Sequence, residues 1–108
     1  MIEVVEYETT GGISPFGRWF ASLDNTAAAK VTTAIARMSQ GNFGDVKSVG
    51  RGISETRISF GPGYRIYFAR AGRQLVLLLG GGTKTRQSRD ITNAQTAWDD
   101  YKRRRKGD

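Results

Sequence analysis

From residue 55 onward, apolar and polar side chains alternate with period two. Thr56, Ile58 and Phe60 alternate with Glu55, Arg57 and Ser59, and Tyr64, Ile66 and Phe68 alternate with Arg65, Tyr67 and Ala69. Successive residues of a strand point to opposite faces. If Ile58, Phe60, Ile66 and Phe68 face a core, then Glu55, Arg57, Ser59, Arg65 and Tyr67 share the other face. Two guanidiniums, a carboxylate and a phenol then meet on strands about 4.8 Å apart, close enough to converge on one phosphate.

The rest of the composition narrows the chemistry. The 108 residues include no histidine and no cysteine. That excludes Cys/His zinc sites, Ser-His-Asp and Cys-His catalysis, and disulfides. Proton transfer is left to Arg, Lys, Asp, Glu, Tyr, Ser and Thr, with no metal and no cofactor expected. Lys and Arg number 17 against 10 Asp and Glu, a net charge of +7. Residues 30–89 hold eleven bases and only two acids, Asp45 and Glu55. A nucleic-acid partner is the natural reading of that segment, and plain solubility charge is the alternative. The acids Glu3, Glu6 and Glu8 argue against a signal peptide, and the apolar run Leu75–Leu79 is too short to cross a bilayer. A cytoplasmic location without membrane contact is expected.

These side chains need a scaffold. Residues 2–7 read as a strand. Ser14 then caps a helix with Pro15 in its first turn and Phe16, Trp19, Phe20 and Leu23 on one face. Asn25 is expected to cap a second helix, which ends at Gly41. Residues 42–52 read as loop. Three antiparallel strands follow, turned at Gly61-Pro62-Gly63 and at Ala71-Gly72, with Leu75, Leu77 and Leu79 assigned to the core beneath the two helices. Gly80-Gly81-Gly82 is expected to end the last strand. Ile91, Ala94, Ala97, Trp98 and Tyr101 form a closing helical stripe. The expected fold class is α+β, in the order β-α-α-β-β-β-α. The domain is placed at residues 1–101, with a basic tail at 102–108.

Several motifs, in order, resemble a known family. They are Gly41-Asn42-Phe43-Gly44-Asp45-Val46-Lys47, Glu55-Thr56-Arg57, Gly61-Pro62-Gly63-Tyr64-Arg65-Ile66-Tyr67-Phe68, Leu77-Leu78-Leu79-Gly80-Gly81-Gly82-Thr83-Lys84 and Gln87-Ser88-Arg89-Asp90-Ile91. Together they resemble the HigB-like branch of the RelE/ParE toxin superfamily, from the first helix to Asp90. The resemblance implies a two-layer RelE-like fold, with an antiparallel sheet of order 1-4-3-2 and the αα-hairpin on one face. It implies the toxin of a type II toxin–antitoxin module, whose partner is a HigA-like helix-turn-helix antitoxin and which meets operator DNA only through that antitoxin. RelE- and HigB-like members cleave mRNA on the ribosome, whereas ParE-like members inhibit DNA gyrase without catalysis.

The carry-over to this chain is residue by residue. Arg65 matches the RelE arginine after the Gly-Tyr pair, Arg57 the basic residue entering the preceding strand, and Lys84 the arginine after the last strand. Ser59 falls where a second basic residue is usual, which leaves Lys47 or Arg51 to supply that charge. Asp90 falls near the C-terminal tyrosine of RelE, where HigB-like relatives carry an acid. Cleavage by the RNA's own 2′-OH needs a base, a stabiliser of the phosphorane and an acid for the leaving 5′-oxygen. Arg57, Arg65 and Lys84 suit the second task. Asp90 or Glu55 could be the base and Lys84 the acid. Lys47, Arg51, Tyr67 and Arg86 are expected to bind RNA, Tyr67 by stacking on a base. As a solvent-facing residue of a sheet, Arg65 is expected to matter little to stability.

Overall fold

The computed structural model describes residues 1–107, and Asp108, the end of the expected tail, lies outside the described residues. Five strands and three helices follow the order β1 (Glu3–Glu6), α1 (Pro15–Ala21), α2 (Asn25–Ser39), β2 (Asp45–Gly50), β3 (Ile53–Ile58), β4 (Tyr64–Arg70), β5 (Leu75–Thr83), a 3-10 turn (Lys84–Arg86) and α3 (Gln87–Gly107). The class is α+β, as expected.

Local chemistry sets the helix ends. Ser14 caps α1 by accepting from the Gly17 backbone N–H at 2.8 Å. The expected cap at Asn25 is corrected to Asp24, whose carboxylate accepts from the Ala27 N–H at 2.8 Å and starts the helix one residue earlier. Gly41 closes α2 at φ +87°, a conformation costly for a residue with a Cβ.

The expected strand order is also corrected. The sheet runs β1-β5-β4-β3-β2. The stretch expected to be loop supplies the edge strand β2, antiparallel to β3. β1 lies parallel to β5, so the sheet is mixed. One face packs on α1 and α2, where Phe16, Val31 and Met38 meet Ile66, Phe68, Val76 and Leu78. The other face is not open to solvent along its length. Ala94 and Ala97 of α3 cover Ile53, Tyr67, Ala69, Leu77 and Leu79 there.

Leu77 and Leu79 therefore sit on the opposite face from the one expected, and Val76 and Leu78 take their place under α1 and α2. Leu75–Leu79 is apolar throughout because both faces of β5 are buried, so alternation gives no phase. Tyr67 pairs with Gly80 but Phe68 pairs with Leu78, which leaves Leu79 as an extra, bulged residue. β5 continues through the glycines to Thr83 instead of ending at them. Gly81 lies against the Trp19 ring, and Gly82 lies against the Asp90 carboxylate. A Cβ at either position would collide with these groups. α3 likewise runs on through most of the expected tail, and Arg104 donates to the Glu8 carbonyl oxygen at 2.5 Å.

Candidate functional site

Alternation on β3 and β4 places Glu55, Arg57, Arg65 and Tyr67 on one face, and the register makes the relation specific. Arg57 pairs with Arg65, and Glu55 pairs with Tyr67. The β3–β4 turn and the 3-10 turn after β5 then flank the two arginines. The result is an open cleft of about 340 Å³, with Arg57, Arg65 and Lys84 in its wall beside Asp45, Ser59 and Tyr64. Three candidate cations thus come together.

Their environments differ. Arg57 is 39% exposed and its Nη2 meets the Asp45 carboxylate at 3.0 Å. Arg65 is only 12% exposed, and its Nε lies 3.4 Å from Oε1 of Glu55. Glu55 is fully buried and also accepts from Gln87 Nε2 at 3.0 Å. A carboxylate so placed needs its partners, since an unpaired buried charge is very costly. Glu55 is therefore a holder of Arg65, with Gln87 completing its shell. Gln87 stands in the motif string but received no role, because a glutamine at a helix start carries no chemical signal of its own.

Behind the cleft wall lies a polar cluster beneath the start of α3. Tyr67 is fully buried there, so the ring face expected to stack on a base is covered by α3. Among the described residues its hydroxyl makes no hydrogen bond of good geometry, although it interacts with the Glu55 carboxylate, and Oδ2 of Asp90 has no partner. Burial pushes the Tyr67 phenol above its ordinary value, and the charges of Glu55 and Asp90 push it further. Burial also raises the Asp90 carboxyl, against the opposing pull of Arg86 and Arg89. Asp90 stands in the first turn of α3 over Gly82, which is the register partner of Arg65. The glycine is thus the floor on which the carboxylate rests.

The remaining candidates scatter. Lys47 is exposed on the edge strand as the register partner of Glu55. Arg51 sits in the β2–β3 turn at φ +57°. That turn is at the opposite end of β3 from Arg57, roughly 20 Å away along a six-residue strand, so Arg51 does not reach the cleft. Arg86 lines a neighbouring hollow of about 420 Å³ together with Lys84 and Arg89. Ser59 lines the cleft but brings no charge.

The phage-derived Gp49-like family (DUF891) matches residues 18–102, and the chain belongs to that family, a RelE/addiction-module killer family. The matched span includes every candidate residue from Lys47 to Asp90. A Haemophilus influenzae (strain Rd) protein described only as uncharacterized is 47% identical to this chain over 81 residues, which cover 74% of this chain and 82% of that protein.

Proposed function

We propose that the protein is the toxin of a type II toxin–antitoxin module, of the HigB-like kind, and cleaves mRNA on the ribosome. The observation that carries this reading is the convergence of Arg57, Arg65 and Lys84 on one open cleft. Guanidinium groups bind phosphate oxygens through paired N–H bonds, and an ammonium adds a mobile donor. In the proposed reaction the 2′-oxygen attacks the adjacent phosphorus, and the bond to the 5′-oxygen breaks. A 2′,3′-cyclic phosphate and a 5′-hydroxyl result. Arg57 and Arg65 neutralise the phosphorane, and Lys84 gives a proton to the departing oxygen. Asp90 is the better candidate base, because Glu55 is committed to Arg65 and Gln87; with its Oδ2 buried behind the cleft wall, Asp90 would have to present its other oxygen to the 2′-OH. Without histidine the protein is a weak nuclease alone, and positioning by the ribosome supplies the missing factor. The partner that neutralises the basic face is a HigA-like antitoxin, which also carries the contact to operator DNA.

One observation favours a second reading. The only acid in the cleft wall among the described residues is Asp45, and it is engaged by Arg57. A non-catalytic, ParE-like inhibitor of DNA gyrase needs nothing more. Induced expression without antitoxin separates the two readings. Growth arrest with loss of translated mRNA supports the nuclease, and arrest with double-strand breaks and intact mRNA supports gyrase.

A further inference from the structure

A third hollow, of about 300 Å³, adjoins the cleft on the α2 side. It shares Asp45, Arg57 and Ile58 with the cleft wall. Its outer rim carries Lys30 and Arg37, seven residues apart on α2 and so two turns apart on one face. Its floor includes Phe43. The Phe43 ring is held in place by stacking on Phe68 at 5.3 Å and by the Arg70 guanidinium at 5.0 Å, and Ala34 and Ile58 complete the apolar lining.

We propose that this hollow is a nucleotide subsite that takes the residue flanking the bound phosphate on the same RNA strand. This rests on the reading of the cleft as an RNA phosphate site and extends it. A nucleotide needs an apolar wall for its base and a cation for its phosphate, and the hollow offers both. Its position supports a strand over an isolated anion. The Lys30/Arg37 hollow shares Arg57 with the Arg57/Arg65 cleft, which shares Lys84 with the hollow of Arg86 and Arg89. Cations stand at every junction of this row. Among the described residues the one acid along it, Asp45, is already paired with Arg57 at 3.0 Å. Such a row matches a ligand whose negative charges repeat along its length. An acidic peptide would use the cations but gain little from the apolar floor.

The test is fluorescence anisotropy with uncleavable 2′-O-methyl RNA of three and of seven nucleotides, using the parent chain, the double variant Lys30→Ala/Arg37→Ala, and Lys102→Ala as a remote charge control. The double variant should lose about tenfold in affinity for the seven-nucleotide strand. Its salt slope should fall by about 1.4, near 0.7 for each cation released from a single strand. The three-nucleotide strand and the Lys102→Ala variant should bind as the parent does. An equal fractional loss on both lengths, or none, overturns the subsite, because only general charge would then be at work. Displacement of a glutamate-rich peptide by the double substitution, with RNA affinity intact, also overturns it in favour of a protein partner. Ribosomal cleavage assays run beside these separate the two claims. A parent that cleaves, with a double variant that binds like it, removes the subsite and leaves the nuclease. A parent that fails to cleave, with length-dependent loss in the double variant, removes the nuclease and leaves the subsite.

Discussion

Arg65 and Glu55 form a buried ion pair, Nε to Oε1 at 3.4 Å, in which the carboxylate is wholly shielded from water and the guanidinium nearly so. The pairing overturns the expectation that Arg65 is dispensable for stability. Arg65→Ala leaves Glu55 with Gln87 alone, and removing one partner of a buried pair costs about 3–5 kcal/mol. The double variant Arg65→Ala/Glu55→Gln should recover most of that loss, because no unpaired charge remains. Urea titration of both variants measures this, and an Arg65→Ala midpoint equal to the parent's would refute it. On ribosomes the double variant should still cleave about 10²–10³-fold more slowly, the usual cost of one lost donor to a developing oxyanion.

In the proposed reading, Asp45 competes with RNA phosphate for Arg57. Its carboxylate takes Arg57 Nη2 at 3.0 Å on an exposed edge, where ion pairs contribute little to folding. Asp45→Asn should leave the melting temperature unchanged while raising affinity for single-stranded RNA by about twofold to fivefold, the range of an exposed pair. Filter binding at low salt reads this out. Weaker binding would mean that Asp45 orients Arg57 instead of masking it.

Tyr67 carries a buried hydroxyl that makes no hydrogen bond of good geometry among the described residues. Such a group bears the desolvation cost of its lost water bond, about 1–3 kcal/mol. Tyr67→Phe keeps the ring packed against Leu77, Leu79 and Ala94 and removes the hydroxyl alone. The variant should be more stable than the parent by about 1 kcal/mol in chemical denaturation. A less stable variant would show that the hydroxyl is bonded in solution.

Legibility in the sequence followed exposure contrast. Ser14-Pro15 and Gly41 marked helix ends because caps and left-handed turns demand particular residues. β3 and β4 declare their faces because one side of each is apolar, and alternation alone places Arg57, Arg65, Glu55 and Tyr67 together. β2 was hidden because an exposed edge strand buries almost nothing, and Asp45–Gly50 shows no alternation. β5 hid its phase for the opposite reason, being apolar on both faces. The cover of α3 over Glu55 and Tyr67 was hidden too. Lys84–Ser88 is polar and masks the helix start, and only the Gly81-Gly82 pair hinted that side chains press on that strand.

Asp90 supplies the prediction that joins stability to chemistry. Burial raises its carboxyl above the ordinary value of 3.8 in the folded protein, so the folded state holds this proton more tightly than the unfolded chain does. The charged carboxylate therefore penalises folding. The penalty is absent below the ordinary carboxylate range, grows as pH rises past it, and is complete once pH exceeds the raised value. Asp90→Asn removes the charge and keeps the shape over Gly82. At neutral pH the variant should be as stable as the parent or more so, and this advantage should vanish on acidification through the carboxylate range. Denaturant midpoints measured across pH provide the check. If the parent instead gains on Asp90→Asn as pH rises, the carboxylate is stabilised by Arg86 and Arg89 more than it is penalised by burial. Activity should move the other way. With Asp90 as the proposed base for the 2′-OH, an amide cannot take its place, and single-turnover cleavage on ribosomes should fall by about 10²–10⁴-fold. Full cleavage by a folded Asp90→Asn variant would transfer the role of base to another group.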